Sequence, residues 1–309
     1  MKKTIIDIKN LTKDYGNGRG IFAINLTVHQ GEVFGFLGPN GAGKSTAIRN
    51  LMGFIRPDSG SCQINGMDCY EDADKIEETL GYLAGEIAFL DGLTGKQMID
   101  FIADMKGIKD KSKMYELIQR FELDSSGKIN KMSKGMKQKI GIICAFMNDP
   151  DVIILDEPTS GLDPLMQSKF IDLILEEKKK GKTIFISSHI FEEIERTCDR
   201  TVIIRNGKIV AIEDMKTLNE RKKKSYIVTF KTIEEATKFQ KEEFDIVEAN
   251  DKKVTVAIKG EIKPFIEALS NYEVKTLDTK VETIEEIFMH FYGEDNTIGG
   301  EKNDFNATI

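Results

Sequence analysis

A glycine-rich stretch, GPNGAGKS at residues 38–45, constrains the fold more than any other part of the sequence. It satisfies the pattern G-x-x-x-x-G-K-[S/T], with an apolar strand pattern from Glu32 to Leu37 before it and a helical pattern after it. Glycines let the backbone curl so that successive N–H groups point at phosphate oxygens, and the following helix adds its positive end. The stretch therefore predicts a phosphate-binding loop between a strand and a helix.

The residues of this loop have distinct predicted uses. Lys44 is expected to reach the β- and γ-phosphates of a nucleotide, and Ser45 to offer its hydroxyl to Mg²⁺. The other predicted nucleotide contacts in the loop are Gly38, Asn40, Gly41, Gly43 and Thr46. An ordinary glycine-rich turn is the alternative, and the strand before the loop and the helix after it disfavour that interpretation.

A second phosphate-related feature is VIILDEP at residues 152–158. Its apolar run predicts a parallel strand covered on both faces, and two acids follow at the carboxyl edge, where open α/β sheets bind ligands. Asp156 can hold Mg²⁺ through its water shell, and Glu157 can act as the general base that activates water against the γ-phosphate. Capping of a buried strand is the alternative use of the two acids. The two motifs together predict a P-loop NTPase of the α/β class.

The length and composition predict two domains of unequal size. A chain of 309 residues with 40% hydrophobic residues can bury one large core and a second small one. Residues 1–219 alternate Val/Ile-rich runs with helical patterns, and residues from about 94 to 148 form a helical insertion. The order βαββαβ plus a closing helix over 220–293 predicts a small α+β ferredoxin-like domain. The polar segment 294–309 is predicted to be disordered.

The charge and the cysteine pattern argue against several classes of protein. A net charge of -7 gives no basic field for nucleic acid, so we expect no nucleic-acid partner. The four cysteines form no CxxC pair and the three histidines lie far apart, which indicates neither a disulfide framework nor a zinc site. Because no segment approaches the roughly 20 apolar residues of a membrane span, we expect a cytoplasmic chain whose membrane role comes from a partner.

Residues 1 to about 215 resemble the ATP-binding-cassette (ABC) family, because the chemical motifs occur in that family's order. In sequence these are Tyr15 in LTKDYG, the glycine-rich loop, the helical insertion, MSKGM at 132–136 in place of an LSGGQ signature, Asp156-Glu157, SGLD at 160–163, and a lone His189. The resemblance implies an ABC-type ATPase domain with a helical subdomain, with ATP and Mg²⁺ as cofactors. It also implies a head-to-tail dimer in which ATP lies between one subunit's glycine-rich loop and the other's signature.

The resemblance further implies roles for residues outside the loop. Ser133 and the backbone N–H of Gly135 would face the γ-phosphate held by the second subunit, at a helix N-terminus with unpaired N–H groups. A plain N-cap is the alternative for Ser133. Tyr15 would stack on adenine, and His189 would hydrogen-bond the γ-phosphate and orient the attacking water. Asp163 would contact the loop of the second subunit and couple the two sites.

The sequence departs from the family pattern at two motifs. In the signature, Lys134 and Met136 replace a glycine and a glutamine, which adds a cation and removes an amide. The glutamine expected after the strand near residue 81 is Gly85 in this chain, and Glu86 follows it. We expect Glu86 to take over part of the contact with Mg²⁺ and the attacking water.

LTKDYG, GPNGAGKST, SSH-x-FEE-x-E and NGKIVAIED are most similar to ATPase subunits of ABC-2-type exporters of drugs, bacitracin and toxin peptides. This resemblance implies separate transmembrane permease subunits, a second ATPase subunit that is either the same chain or a paralogue, and a place on the cytoplasmic face of the membrane. The surface for the permease is expected to include Tyr82, Glu86, Ile87, Phe89 and Leu90. Self-packing of this segment under the helical insertion is the alternative.

Two other functions stay open at this point. One is an importer ATPase with a C-terminal regulatory domain, and the segment GYLAGE disfavours it because it lacks the expected glutamine. The other is a soluble ABC ATPase acting on ribosomes or DNA, which the acidic net charge and the single cassette disfavour.

Overall fold

The computed structural model describes residues 2–221, 224–258, 261–281, 283 and 285–286. These residues form two compact units, one up to Met215 and one from Lys216. The predicted domain boundary at 219 lies near this division and stays a prediction. Most of the predicted closing helix and the whole of the predicted disordered segment 294–309 lie outside the described residues.

The first unit contains ten strands and seven helices among its described residues. The strands are β1 Thr4–Asp14, β2 Gly20–His29, β3 Val33–Leu37, β4 Ser59–Ile64, β5 Met67–Asp68, β6 Leu80–Leu83, β7 Val152–Asp156, β8 Thr183–Ser188, β9 Arg200–Arg205 and β10 Lys208–Asp214. The helices are α1 Lys44–Leu51, α2 Ala73–Thr79, α3 Gly95–Met105, α4 Ser112–Arg120, α5 Lys134–Phe146, α6 Pro164–Lys179 and α7 Phe191–Thr197, with a 3-10 turn at Ile129–Lys131. A further helix, α8 Met215–Arg221, contains the division between the units.

A six-stranded sheet in the order β10-β9-β3-β8-β7-β6 positions the chemical motifs. Its strands pair in parallel except for β10, which is antiparallel to β9. Strands β3, β7 and β8 are buried along their whole length, because helices or the other sheet cover both faces, and this explains their continuous apolar sequences. Their carboxyl ends meet at one edge, which brings the glycine-rich loop next to the acids after β7.

A four-stranded antiparallel sheet in the order β2-β1-β4-β5 lies beside α1. The core between the two sheets combines side chains from both of them with the buried face of α1. Members of this core include Ile6, Ile24, Phe34, Ile48, Ile154 and Phe185. Burial of these apolar side chains is the main force that holds the glycine-rich loop against the sheet edge.

The helical insertion consists of α3, α4 and α5. Helix α3 begins with a capping box, in which Thr94 and Gln97 bond each other's backbone N–H groups. Salt bridges join α4 to α6, between Lys113 and Glu177 at 3.0 Å and between Arg120 and Glu176 at 2.6 Å. No helix within the described ranges is long and apolar enough to cross a membrane.

The second unit alternates strands and helices around a small aromatic core. Its elements are β11 Lys224–Phe230, α9 Ile233–Phe239, β12 Asp245–Asn250, β13 Lys253–Ala257, α10 Lys263–Leu269 and β14 Val274–Val281. The strands form one antiparallel sheet in the order β12-β13-β11-β14. In this core, the ring centroids of Phe230 on β11 and Phe239 on α9 lie 5.2 Å apart. This βαββαβ order is the ferredoxin-like topology expected from the sequence.

Candidate functional site

The glycine-rich loop joins β3 to α1 with backbone conformations that require glycine at specific positions. Gly43, the residue before α1, has φ 108°. A Cβ on Gly43 would lie 2.9 Å from the carbonyl oxygen of Gly20, and one on Gly38 would lie 2.4 Å from that of Ile204. Gly41 has φ 80°, and a Cβ there would meet no atom within 4 Å. The loop therefore follows a path that side chains at 38 and 43 would block.

Lys44 holds its ammonium group at the mouth of this loop. Its side chain is 5% exposed, and Nζ donates to the carbonyl oxygens of Gly38 at 2.7 Å and Pro39 at 3.2 Å. The same nitrogen lies 3.0 Å from Oε1 of Glu157. A buried cation with these partners is fixed in position, and it can exchange its carboxylate partner for a phosphate oxygen.

The two acids at the end of β7 have different surroundings. Asp156 is buried, and its Oδ1 accepts a hydrogen bond from the hydroxyl of Ser187. Glu157 has φ 49°, a left-handed conformation that costs about 1 kcal/mol or more for a residue with a side chain. Gln138 of α5 donates from Nε2 to the carbonyl oxygen of Pro158 at 2.8 Å and so holds the chain just after Glu157. A hydrogen bond from the helical insertion therefore helps to hold Glu157 in its strained conformation.

Residues 187–189 are the last two residues of β8 and the residue that follows them. Each of the three contacts a different carboxylate. Ser187 donates to Asp156, while Ser188 donates from Oγ to Oε2 of Glu193 at 2.6 Å. Nδ1 of His189 contacts Oε2 of Glu157. Because Glu157 also binds Lys44, a lysine, a carboxylate and an imidazole form one continuous chain of contacts.

Glu193 is a buried carboxylate with a raised pKa. Only 3% of the residue is exposed, and this burial raises its pKa to about 7. The hydroxyl of Ser188 acts in the opposite direction, the charge of Glu157 raises the pKa further, and the hydroxyl of Thr159 lowers it. The shift has a simple cause, since a carboxylate removed from water favours its neutral form.

A cavity of about 560 Å³ opens at this edge of the sheet. The predicted site residues that line it are Asn40, Ser45, Glu86, Asp156, Glu157 and His189. Its other lining residues are Arg49, Phe54, Tyr82, Ala84, Gly85, Lys134 and Ser160. The structure therefore brings together the residues predicted from four separate motifs, and Lys44 joins them through its contact with Glu157.

The oxygen donors in the cavity suit a magnesium ion that also binds nucleotide phosphates. Ser45 and Asp156 supply the hydroxyl and carboxylate oxygens that Mg²⁺ prefers. A Cβ on Gly85 would lie 3.1 Å from Oδ2 of Asp156, so glycine lets this loop approach the aspartate. Glu86 is exposed at the cavity. The part of the chain that the structure describes has no group of three or more His, Cys, Asp or Glu suited to a metal.

The signature segment packs against the SGLD loop of the same chain. The hydroxyl of Ser133 caps α5 by accepting from the backbone N–H three residues later, at 3.2 Å. A Cβ on Gly135 would lie 2.6 Å from the carbonyl oxygen of Gly161, and Lys134 donates from Nζ to Oγ of Ser160 at 2.8 Å. The N-cap interpretation of Ser133 is thus observed, and its contact with a phosphate stays a prediction.

Two other predicted nucleotide contacts lie outside the cavity. Asp163 caps α6, because its Oδ1 accepts from the backbone N–H of Met166 at 3.0 Å. Tyr15 is 52% exposed in the turn between β1 and β2, and that turn leads to Gly20, which lies against Gly43. Both residues are exposed, and their roles stay predictions.

The segment predicted to meet a permease is partly packed within the protein. A Cβ on Gly141 of α5 would lie 2.4 Å from Cδ1 of Ile87, so Ile87 covers this helix. Tyr82 packs edge-on against Phe54 at 5.6 Å. Leu90 remains 51% exposed. Self-packing therefore applies to Ile87, while Leu90 is available at the surface.

The contacts of Gln138, Ser188 and Glu193 were not anticipated from the sequence. The first supports the turn after β7, and the other two support the segment that carries His189. One signal was present, because two serines end the otherwise apolar strand TIFISS. Glu193 carries no such signal, since it stands in the acidic run FEE beside an exposed glutamate.

Comparison with known proteins places this geometry among nucleotide-binding subunits. The family model described as "ABC transporter" matches residues 21–160. The chain is 37% identical over 246 residues to the bacitracin transport ATP-binding protein BcrA of Bacillus licheniformis, covering 79% of this chain and 80% of BcrA. It is 31% identical over 298 residues to the uncharacterized ABC transporter ATP-binding protein YhcH of Bacillus subtilis, covering 94% and 97%.

Three further similarities cover a smaller part of this chain, and one of them supports the fold alone. The probable multidrug ABC transporter ATP-binding protein YbhF of Escherichia coli is 36% identical over 68% of this chain, but the match spans only 37% of YbhF. A solved ATP-binding subunit of an ABC transporter superposes with a TM-score of 0.64 at 31% identity, covering 71% of this chain and 93% of that one. A dimeric ATP-binding cassette with ADP and phosphate superposes at 0.62 over 68% of this chain and 99% of its own length, and its 23% identity supports the fold alone.

Proposed function

The chain is an ATP-binding protein of the ABC transporter family, and from this premise we propose that its ATPase activity powers export through separate transmembrane permease subunits. The observation that carries the proposal is the chain of contacts from Lys44 through Glu157 to His189 beside one cavity. This chain joins a cation that can bind phosphate, a carboxylate that can accept a proton from water, and an imidazole. Each group is in contact with the next. Such a set suits in-line attack of water on a γ-phosphate.

Each of these side chains has a proposed role. Lys44 balances the charge of the β- and γ-phosphates, and Glu157 accepts the proton of the attacking water. His189 orients that water and the γ-phosphate through a hydrogen bond. Ser45 and Asp156 hold Mg²⁺, with Glu86 nearby, and the bound ion supplies charge neutralisation for the phosphates. The remaining proposed contacts with ATP are Tyr15, Gly38, Asn40, Gly41, Gly43, Thr46, Ser133, Gly135 and Asp163.

We place the complete site between two ATPase subunits, either two copies of this chain or one copy and a paralogue. The signature at the start of α5 supports this arrangement, because Ser133 and Lys134 are exposed at the N-terminus of a long helix. Such a terminus attracts anions. A cassette of the same fold has been solved as a dimer with ADP and phosphate.

Export of a drug or an amphipathic peptide is the transport that the relatives favour. BcrA is named for bacitracin transport and YbhF for multidrug transport, although YbhF matches over only 37% of its length. Direction and cargo are therefore part of the proposal. So is the location, which we take to be the cytoplasmic face of the membrane, held there by the permease.

Replacement of Ser133 by arginine is expected to lower ATP turnover by about a hundredfold, because a bulky side chain keeps the signature from the phosphate of the second subunit. The fold and the monomer's own nucleotide contacts should survive, since Ser133 is exposed. Turnover and melting temperature are measured together. Wild-type turnover of a well-folded Ser133→Arg protein would contradict the shared site.

Mixing makes this test specific for a site shared between subunits. Ser133→Arg and Lys44→Ala proteins are each expected to be inactive alone. A mixed dimer has one site with both an intact loop and an intact signature, so combining the two proteins should restore part of the turnover. A mixture that stays as inactive as its components would argue against the head-to-tail arrangement.

Capture from native membranes tests the permease. Tagged wild-type protein is expected to co-purify with a polytopic membrane protein, and Leu90→Glu is expected to lose it, because a charge would replace an exposed leucine at the predicted contact. Val210→Glu, at an exposed position on β10, serves as the control and should retain the partner. Recovery of ribosomes or nucleic acid in place of a membrane protein would contradict the transporter role.

A further inference from the structure

We propose that Glu193 is a positioning residue for His189, acting through Ser188 and the backbone that flanks the imidazole. Glu193 is buried and does not line the cavity, so it acts without contact with the nucleotide. The proposal rests on the role in hydrolysis assigned above to His189. The proposal gives this buried carboxylate a role in hydrolysis in addition to its role in the fold.

The hydrogen bonds run on both sides of the imidazole. The hydroxyl of Ser188 donates to Glu193 at 2.6 Å and accepts from the backbone N–H of Ile190 at 3.0 Å. One hydroxyl therefore fixes the residue before His189 and the residue after it. The serine hydroxyl can donate to the carboxylate and to the carbonyl oxygen of the neutral acid, so this bond does not depend on the charge of Glu193. Glu193 belongs to the first turn of α7, so the pair also ties the end of β8 to that helix.

The position of His189 needs this support, because its ring makes one polar contact with the residues that the structure describes. Its side chain is 46% exposed, and Nδ1 contacts Glu157. An exposed ring can occupy several staggered side-chain conformations, and the backbone sets where each of them places the imidazole. Holding the flanking peptides limits where the imidazole can go. The conformation that contacts Glu157 then places the imidazole at the cavity, which His189 lines.

Burial of a carboxylate opposes stability, which makes a purely structural use of Glu193 unfavourable. An uncharged residue of similar size would avoid the desolvation of an acid. The preceding residue provides a comparison, since the side chain of Glu192 is 77% exposed and its Oε1 lies 3.6 Å from Nη1 of Arg196. Two adjacent glutamates on one helix thus have opposite environments, and only the buried one bonds the segment that carries His189.

ATP turnover of single variants tests the proposal. Glu193→Ala and Ser188→Ala should each lower kcat about tenfold with KM for ATP changed by less than about twofold, because the imidazole is misplaced while the phosphate loop is intact. Glu193→Gln keeps an acceptor for the serine and should retain most of the turnover. Glu192→Ala is the matched control and should behave as wild type. Equal losses in Glu193→Gln and Glu193→Ala would overturn the proposal.

A double-mutant cycle separates positioning from general destabilisation. In a His189→Ala background, Glu193→Ala is expected to cause no further loss of kcat, because the residue it positions is absent. A further tenfold loss there would overturn the positioning role while leaving the role of His189 intact. Full turnover of His189→Ala itself would instead contradict the proposed function of the histidine and, with it, the inference. Should Glu193→Ala fail to fold, Ser188→Ala in the same two backgrounds gives the same decision.

Discussion

Replacement of Lys44 by alanine is expected to lower ATP turnover by about a thousandfold and to weaken ATP binding. The reason lies in the geometry of its ammonium group. Two carbonyl oxygens of the glycine-rich loop hold it at 2.7 and 3.2 Å, with the side chain almost fully buried. No exposed lysine could take its place, because the loop fixes the position of the charge. Alanine removes the cation that balances the β- and γ-phosphates.

Steady-state turnover and equilibrium binding of ATP measure the two effects of Lys44→Ala. Lys75→Ala is the control, since Lys75 is exposed on α2 and forms an ion pair at 2.6 Å with Asp72, the residue before that helix. It should keep wild-type turnover. A thermal melt shows whether Lys44→Ala is folded. If the folded protein still hydrolysed ATP at the wild-type rate, the phosphate loop would have to be assigned elsewhere.

The sequence was sufficient for the parts of the site whose residues are neighbours in the chain. The loop around Lys44 follows from glycine spacing, and its place at a sheet edge follows from the apolar strand before it. The pair Asp156 and Glu157 could be located for the same reason, because a fully apolar strand ends there. Parallel strands of one sheet align their carboxyl ends, so meeting of these two motifs was predictable.

Contacts between distant elements were not predictable in the same way. Gln138 reaches Pro158 only because α5 packs beside the end of β7, and no local pattern marks that approach. Ser188 and Glu193 are close in sequence, yet their bond depends on the angle between β8 and α7. Glu192 and Glu193 are adjacent in sequence, and the packing of α7 determines that Glu193 is the buried one. Such choices arise from packing, which a single sequence does not display.

For the second unit, the sequence predicts the topology but not the function. Its βαββαβ topology follows from alternating patterns, and the structure has that topology. Its core combines aliphatic residues with aromatic ones such as Phe230 and Phe239, which pack against each other. Because neither the topology nor these packing contacts specify a ligand, the fold of this unit could be predicted without a role.

Replacement of Glu157 by glutamine is expected to lower turnover by about a thousandfold while binding of nucleotide becomes tighter. Glutamine keeps the size of the side chain and loses the base that accepts the proton of water. It also loses the charge that lies 3.0 Å from Lys44. Since phosphate and Glu157 compete for that ammonium group, ADP should bind the variant more strongly than wild type. With ATP, the variant should accumulate as a dimer.

Turnover, ADP titration and light scattering with ATP separate these effects of Glu157→Gln. Glu192→Gln is the control, because it removes one carboxylate from an exposed position and leaves the contact with Lys44 in place. It should show wild-type turnover, wild-type ADP affinity and no stable dimer. Normal turnover of Glu157→Gln would remove Glu157 from the role of base. Unchanged ADP affinity would show that Lys44 is not shared between carboxylate and phosphate, even if hydrolysis were lost, because the two effects depend on different properties of the same side chain.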